Sequence, residues 1–232
     1  MNIVHDRGAL DDYLREHRME NVFPDKLKPH LSLHVFDEGD LICAQGEPAE
    51  TLYVLVKGKI KIYNNSAEGR TLVISFKTPL EVIGDIEYIG GTEIKNTVEA
   101  VSSVVMIGVP YPWMRKYGDD SPSMLRFLLG IMTKKFFYKT DHTSLNLMYP
   151  VEVRLASYLL SVSFDETDDG FVGRLPVSSV TDTANLLGTS YRHLNRVIRK
   201  LAAEGWIERN KTFIVVKDRE ALQKLVKAAK GE

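Results

Sequence analysis

The sequence predicts an α+β chain in three successive parts: an N-terminal antiparallel β-roll or jelly roll, one long helix, and a small C-terminal module of short helices and a hairpin. Three observations carry that expectation. Residues 23–117 break into short strand-like runs punctuated by glycine and proline, residues 123–149 contain no proline, and Gly188 and Gly205 bracket a segment with helical apolar spacing. The parts read as residues 1–120, 121–149 and 150–232.

The length of 232 residues exceeds what one small domain needs, and 44% hydrophobic with 26% charged residues is an ordinary globular composition. Apolar runs are only a few residues long, and Asp6, Arg7, Asp11 and Asp12 place charges near the start. The expectation is therefore neither a membrane span nor a secretory signal, no membrane partner, and a cytoplasmic location. Cys43 is the single cysteine, which excludes an intrachain disulfide and any four-thiolate zinc or iron–sulfur site within one chain.

Within the first part, strands are expected at Leu52 to Val56, Lys59 to Tyr63, Thr71 to Phe76, Thr97 to Val101 and Val104 to Val109. Ile60 and Ile62, then Leu72, Ile74 and Phe76, alternate with polar neighbours around a turn at Ala67 to Arg70, the pattern of a half-buried hairpin.

Ser121 followed by Pro122 is an N-cap with proline at the first helical position, and the next proline is Pro150. Apolar residues make two stripes along this helix. Leu125, Leu129, Met132 and Phe136 fall on one side; Leu128, Ile131, Tyr138, His142 and Leu145 follow a 3,4 spacing on another, interrupted by Lys135. Two stripes require two partners. The second is assigned to self-association, as a two-fold homodimer, and the first to the chain's own roll.

Val151 to Val162 reads as a further helix, followed by an acidic turn (Asp165, Glu166, Asp168, Asp169, Gly170) and a short strand at Phe171 to Leu175. Ser179 and Asp182 resemble a capping box opening a helix with Val180, Ala184 and Leu187, which Gly188 closes. Thr189 and Ser190 then cap Tyr191 to Glu204. At about 100° per residue, Leu194, Val197, Ile198 and Leu201 share one side, while Tyr191, Arg192, Asn195, Arg196 and Arg199 share the other. Trp206, Ile207 and Phe213 to Val216 make a hairpin with Arg209, Asn210 and Lys211 at its tip. Helix, glycine turn, helix and basic hairpin together predict a winged helix-turn-helix that faces double-stranded DNA. The charge distribution agrees: from Gly188 to Lys230 there are 11 Lys or Arg against 4 Asp or Glu, on a chain of net charge −1.

The stretch from Ala184 to Leu201 (ANLLGTSYRHLNRVIRKL) resembles the recognition motif of the CRP/FNR superfamily of bacterial transcription regulators. Gly46 to Gly58 resembles the double-glycine strand pair of that family's sensor roll, Val82 to Ile86 resembles the start of its effector-binding cassette, and the Ser-Tyr-Arg-His-Leu turn with Gly-Asp-Ile-Glu resembles the YeiL subgroup. The likeness spans about residues 20 to 225 in order. It implies a cyclic-nucleotide-binding-domain-like jelly roll, a long dimerisation helix and a DNA-binding winged helix-turn-helix. It also implies DNA contacts from Thr189, Ser190, Tyr191, Arg192, Asn195, Arg196, Arg199, Arg209 and Lys211, with Arg196 matching the family's base-reading arginine. Tyr191-Arg192 stands where many members have Arg-Glu, so the usual half-site is not expected.

The corresponding effector residues are Gly84, Asp85, Ile86, Lys95, Asn96 and Thr97. Cyclic-nucleotide receptors of the family use a glutamate for the ribose and an arginine for the phosphate. Here Asp85 holds the acidic place, and Gly90 to Thr97 contains no arginine; Lys95 supplies a point charge, with Glu93 beside it. Cyclic nucleotide binding is disfavoured, leaving another small-molecule effector or control by abundance. His30, His34 and His142 are the histidines weighed as haem ligands and read as ordinary structural residues; nothing near Cys43 lowers its pKa. The competing readings are a cupin-like metalloenzyme, for which clustered histidines are missing, and a dimeric ligand-binding module whose helix-turn-helix contacts protein. No catalytic residues are expected. RNA polymerase is a partner if the chain activates transcription, and the sequence is compatible with activation or repression.

Overall fold

The computed structural model describes residues 2–66, 71–162, 174–176 and 180–231, and among these the side chains of residues 141–147, 174, 176, 182 and 230 lie outside the description. The expected hairpin turn at 67–70, the acidic turn at 165–170 and Ser179 of the expected capping box fall outside the described residues, as does most of the strand expected from Phe171 to Leu175.

The elements follow in order. β1 (Asn2–Val4) and α1 (Arg7–Glu16) precede β2 (Ser32–Phe36), β3 (Leu41–Cys43), β4 (Thr51–Lys57), β5 (Ile60–Asn65), β6 (Thr71–Lys77), β7 (Glu81–Ile83) and α2 (Asp85–Gly90). β8 (Thr97–Ala100), β9 (Val104–Pro110), α3 (Tyr111–Tyr117), α4 (Pro122–Met148) and α5 (Val151–Val162) come next. β10 (Arg174–Pro176), α6 (Val180–Leu186), α7 (Tyr191–Ala203), β11 (Ile207–Arg209), β12 (Phe213–Val216) and α8 (Arg219–Lys230) complete the chain. This is the expected α+β architecture of antiparallel roll, long helix and winged helix-turn-helix. The chain divides into two units, Met1–Asn64 with Lys77–Phe137 and Asn65–Phe76 with Tyr138–Glu232. The long helix is thus shared between the units, whereas the sequence suggests a separate part at 121–149.

In the first unit a five-stranded antiparallel sheet has the order β1-β2-β9-β4-β7. A second sheet contains the run β3-β8-β5. Alternation along the strands sorts side chains to two cores. Phe36, Leu55, Ile60, Ile83, Val98, Val104 and Met106 fill one cluster; Leu33, Leu52, Val54, Ile107 and Val109 point into another with Leu10 and Leu14 of α1 and Met114 of α3.

α4 completes that second cluster with Met124, Leu128 and Ile131. The face expected to pack on the roll is therefore not the one that does so. Leu128 and Ile131, expected at a dimer interface, are 3% and 6% exposed within their own unit, whereas Leu129 and Phe136, expected against the roll, are 66% and 67% exposed. The 3,4 spacing identifies which residues share a face; it does not say which face meets the sheet, and α4 is apolar on both. Tyr138 is 38% exposed, and the side chains of His142 and Leu145 lie outside the described residues.

In the second unit Leu155, Leu159, Ala184, Leu194, Ile198, Leu201, Ile214 and Leu222 are buried. β10, β12 and β11 form a three-stranded antiparallel sheet, and α5 contacts both α7 and α8. The Tyr158 hydroxyl donates to Val73 O on β6 at 2.9 Å. Among the described residues no helix is long and apolar enough to cross a membrane.

Candidate nucleic-acid interface and sensor cassette

α7 begins where Gly188, at φ +59°, reverses the chain after α6, a left-handed conformation that favours glycine. Arg154 of α5 donates to Leu187 O and pins this turn from behind. Ser190 caps α7, its Oγ accepting from His193 N–H at 3.2 Å, and Thr189 Oγ1 lies 3.4 Å from His193 Nδ1. Lys200 is held at 2.9 Å by Glu152, a bond that raises the lysine's pKa.

Leu194, Val197, Ile198 and Leu201 turn inward, while Tyr191, Arg192, Arg196 and Arg199 are exposed. Tyr191, Arg192, Asn195, Arg196, Arg199 and Arg209 line a shallow concavity of about 350 Å³. Asn195 is placed differently from its arginine neighbours. It is 6% exposed, its Nδ2 donates to Tyr191 O at 3.1 Å, and its Oδ1 accepts from Arg209 Nη1 at 2.5 Å. The helical wheel gives the clue in retrospect, since Asn195 lies only about 60° from Ile198 at the edge of the apolar arc. The hairpin tip is organised by Asn210, whose Oδ1 accepts from the backbone N–H groups of Thr212 and Phe213, each at 2.8 Å, leaving Lys211 exposed.

In the first unit, Gly84, Asp85, Asn96 and Thr97 of the expected effector residues are engaged with protein, and Lys95, which is exposed, is held through its backbone. Gly84, at φ +87°, leads into α2, and a Cβ there would lie 2.7 Å from Thr51 O. Asp85 is 1% exposed and accepts from Lys135 Nζ at 2.8 and 2.9 Å; burial raises its pKa, and the Lys135 ammonium opposes that rise. Lys95 donates its backbone N–H to Glu87 Oε1 at 3.1 Å, Asn96 Oδ1 accepts from Asn64 Nδ2 at 3.4 Å, and Thr97 Oγ1 accepts from Gln45 N–H at 3.1 Å. Ile86 is also exposed. The role of Lys135 was missed from sequence, where it read as a break in an apolar stripe.

His30 stacks on Trp113 with ring centroids 3.6 Å apart. His34 is buried beside Ser32, whose Oγ lies 3.0 Å from Nε2, and its Nδ1 has no hydrogen-bond partner among the described residues. Burial and the neighbouring His5 hold its pKa below the usual imidazole value. Burial pushes the Cys43 thiol up to about 12. Among the described residues no group of three His, Cys, Asp or Glu side chains is placed to hold a metal ion.

A cyclic nucleotide-binding domain model matches residues 33–118, and a Crp-like helix-turn-helix domain model matches residues 153–225. The chain belongs to the CRP/FNR superfamily. It is similar to the regulatory protein YeiL of Escherichia coli O157:H7, 25% identical over 212 residues, covering 91% of this chain and 93% of that protein. It is also similar to the CRP-like cAMP-activated global transcriptional regulator of Mycobacterium tuberculosis, 23% identical over 190 residues, covering 81% and 84% of the two chains. Among solved structures, a CRP/FNR family transcriptional regulator from Thermus thermophilus shares the fold with a TM-score of 0.65 at 20% identity, covering 85% of this chain and 99% of that one. This CRP/FNR member is a transcription regulator with a DNA-binding helix-turn-helix; its domains and relatives are those of regulators, not enzymes.

Proposed function

We propose that the chain acts in the cytoplasm as a homodimer that reads a two-fold-symmetric duplex, with α7 of each subunit in the major groove of one half-site. Half-sites would then lie about 34 Å apart. The observation that carries this reading is the sidedness of α7: three exposed arginines and Tyr191 on one side, four buried aliphatic residues on the other. Arg192 and Arg196 are assigned to base edges, for which the planar guanidinium suits guanine O6 and N7. Thr189, Ser190, Arg199 and Lys211 are assigned to the phosphate backbone, and Asn195 with Arg209 to holding the hairpin on α7. The exposed stripe Leu125, Leu129 and Phe136 is assigned to the dimer contact, because those residues would otherwise leave a continuous apolar surface in water. RNA polymerase becomes a partner where the regulator activates.

Selection of binding sites from random duplexes tests the reading directly. The expected result is a palindromic motif bound with a steep salt dependence; binding without sequence preference or salt dependence overturns it. The sensor input is assigned to a signal other than a cyclic nucleotide. Although the mycobacterial relative is named as cAMP-activated, Asp85 here already accepts from Lys135 on both oxygens. Calorimetry with cyclic AMP and cyclic GMP should show no micromolar binding.

A further inference from the structure

The buried stripe of α4, Met124, Leu128 and Ile131, is continued one turn later by Lys135. Its ammonium donates to Val82 O at 2.6 Å and to both oxygens of Asp85, and it lies 3.3 Å from Glu81 Oε1. Glu81 is itself nearly buried, accepts from Val82 N–H at 3.1 Å and pairs with Lys77 at 3.3 Å. One lysine therefore directs its donors at residues 81–85, the segment that carries the chain from β7 into α2. From the other side, the Tyr111 hydroxyl donates to Gly84 O at 2.6 Å. The position of α2 is thus fixed by groups the chain supplies itself.

We propose that Lys135 is a built-in substitute for an effector: it fastens the 81–85 segment to α4 without any small molecule, so that the chain is competent to bind its operator in the unliganded state. Removing one member of a buried ion pair leaves the other charge uncompensated, so the contact does not open freely. The clamp sits two residues before α4 passes from the first unit into the second. Loosening it frees the part of α4 that leads to the DNA-binding module. This inference rests on the reading of the chain as a DNA-binding regulator.

The test uses the full chain, shown by native mass spectrometry to carry no small molecule, and a fluorescent duplex from site selection. Wild type should bind it without additive, and cyclic AMP or cyclic GMP should change the affinity less than about twofold. Lys135→Gln should weaken operator binding at least about tenfold, and Lys135→Arg, which keeps the charge, should bind within about threefold of wild type. A second readout, independent of DNA, is native-state hydrogen exchange at the α2 amides, which should quicken at least about tenfold in Lys135→Gln relative to α1 and α3. The proposal is overturned if Lys135→Gln binds and exchanges as wild type does, or if wild type binds its selected duplex only after a small molecule is added. Absence of salt-dependent binding to every duplex would instead overturn the underlying reading of function.

Discussion

Arg209, on the first strand of the wing, donates from Nη1 to Asn195 Oδ1 at 2.5 Å, tying the hairpin to the middle of the recognition helix. Asn195 simultaneously donates to Tyr191 O, so one buried amide braces both the first turn of α7 and the wing. Asn195→Ala should lower stability by about 1–3 kcal/mol, since it leaves polar groups unpaired at a part-buried site. A double-mutant cycle with Arg209→Ala, followed by urea unfolding, should give a coupling of about 0.5–3 kcal/mol. Strict additivity of the two changes would show that the contact carries no energy.

Arg196 and Lys211 should fail in different ways. Arg196→Ala should lose about 1–3 kcal/mol at the preferred sequence and relax specificity at one base pair, because a bidentate arginine reads a base edge. Lys211→Ala should weaken all duplexes alike and reduce the salt slope by about one. Titrations against matched and single-mismatch duplexes at several salt concentrations separate the two. An unchanged selected motif of unchanged strength in Arg196→Ala would remove that residue from base reading.

The two stripes of α4 should separate stability from assembly. Leu128→Ala empties a site in the core of the first unit and should cost about 2–5 kcal/mol. Leu129→Lys, at an exposed site, should leave the folding of the subunit intact while shifting sedimentation from dimer toward monomer. If Leu128→Ala instead dissociates the protein with its thermal midpoint preserved, the face assignment is reversed.

His34 should make the roll acid-sensitive. Its folded pKa lies below the unfolded value of 6.5, chiefly because burial disfavours the imidazolium and secondarily because of His5. The unfolded chain therefore takes up the proton first as pH falls. The contribution to stability is complete above 6.5 and is lost progressively below it. Urea midpoints should drop between about pH 7.5 and about pH 5.5, and His34→Gln should flatten that part of the profile. Identical slopes in the two proteins would remove His34 as the cause.

Cys43 should be a slow nucleophile. With its thiol pushed up to about 12, the thiolate is scarce near neutrality, so alkylation of native protein should be far slower than in urea. Labelling at equal rates in both states would contradict that environment.

Much of this architecture is legible along the chain. Short runs broken by glycine and proline place β4, β5, β6, β8 and β9 to within two residues at each end, although the alternation expected in β6 does not hold, because Ile74 is exposed while Val73 and Ser75 are buried. Pro122 and Pro150 bound α4 because proline is tolerated at the start of a helix and not within it. β1, β2, β3, β7, α1, α3 and α8 are not read from the sequence. Face and partner were the harder matter. α4 carries Met124, Leu125, Leu128, Leu129, Ile131 and Met132, so apolar residues point both ways and only the shape of the roll selects among them. Asn195 is equally at home on a polar surface and in a satisfied interior, and its environment depends on Arg209, fourteen residues away. Lys135 and Asp85 are fifty positions apart, beyond the reach of any periodicity.

The second unit draws one strand from far upstream: β6 supplies the carbonyl of Val73 to the phenol of Tyr158. A fragment beginning after residue 137 would lack that acceptor and keep only the hydrogen bond between Tyr158 and Thr183, a loss of about 0.5–1.5 kcal/mol in a piece small enough to feel it. Proteolytic excision of the operator-binding half should therefore yield a weaker folder than the same residues show in the intact polypeptide. Grafting it onto another sensor would require carrying the distant strand along.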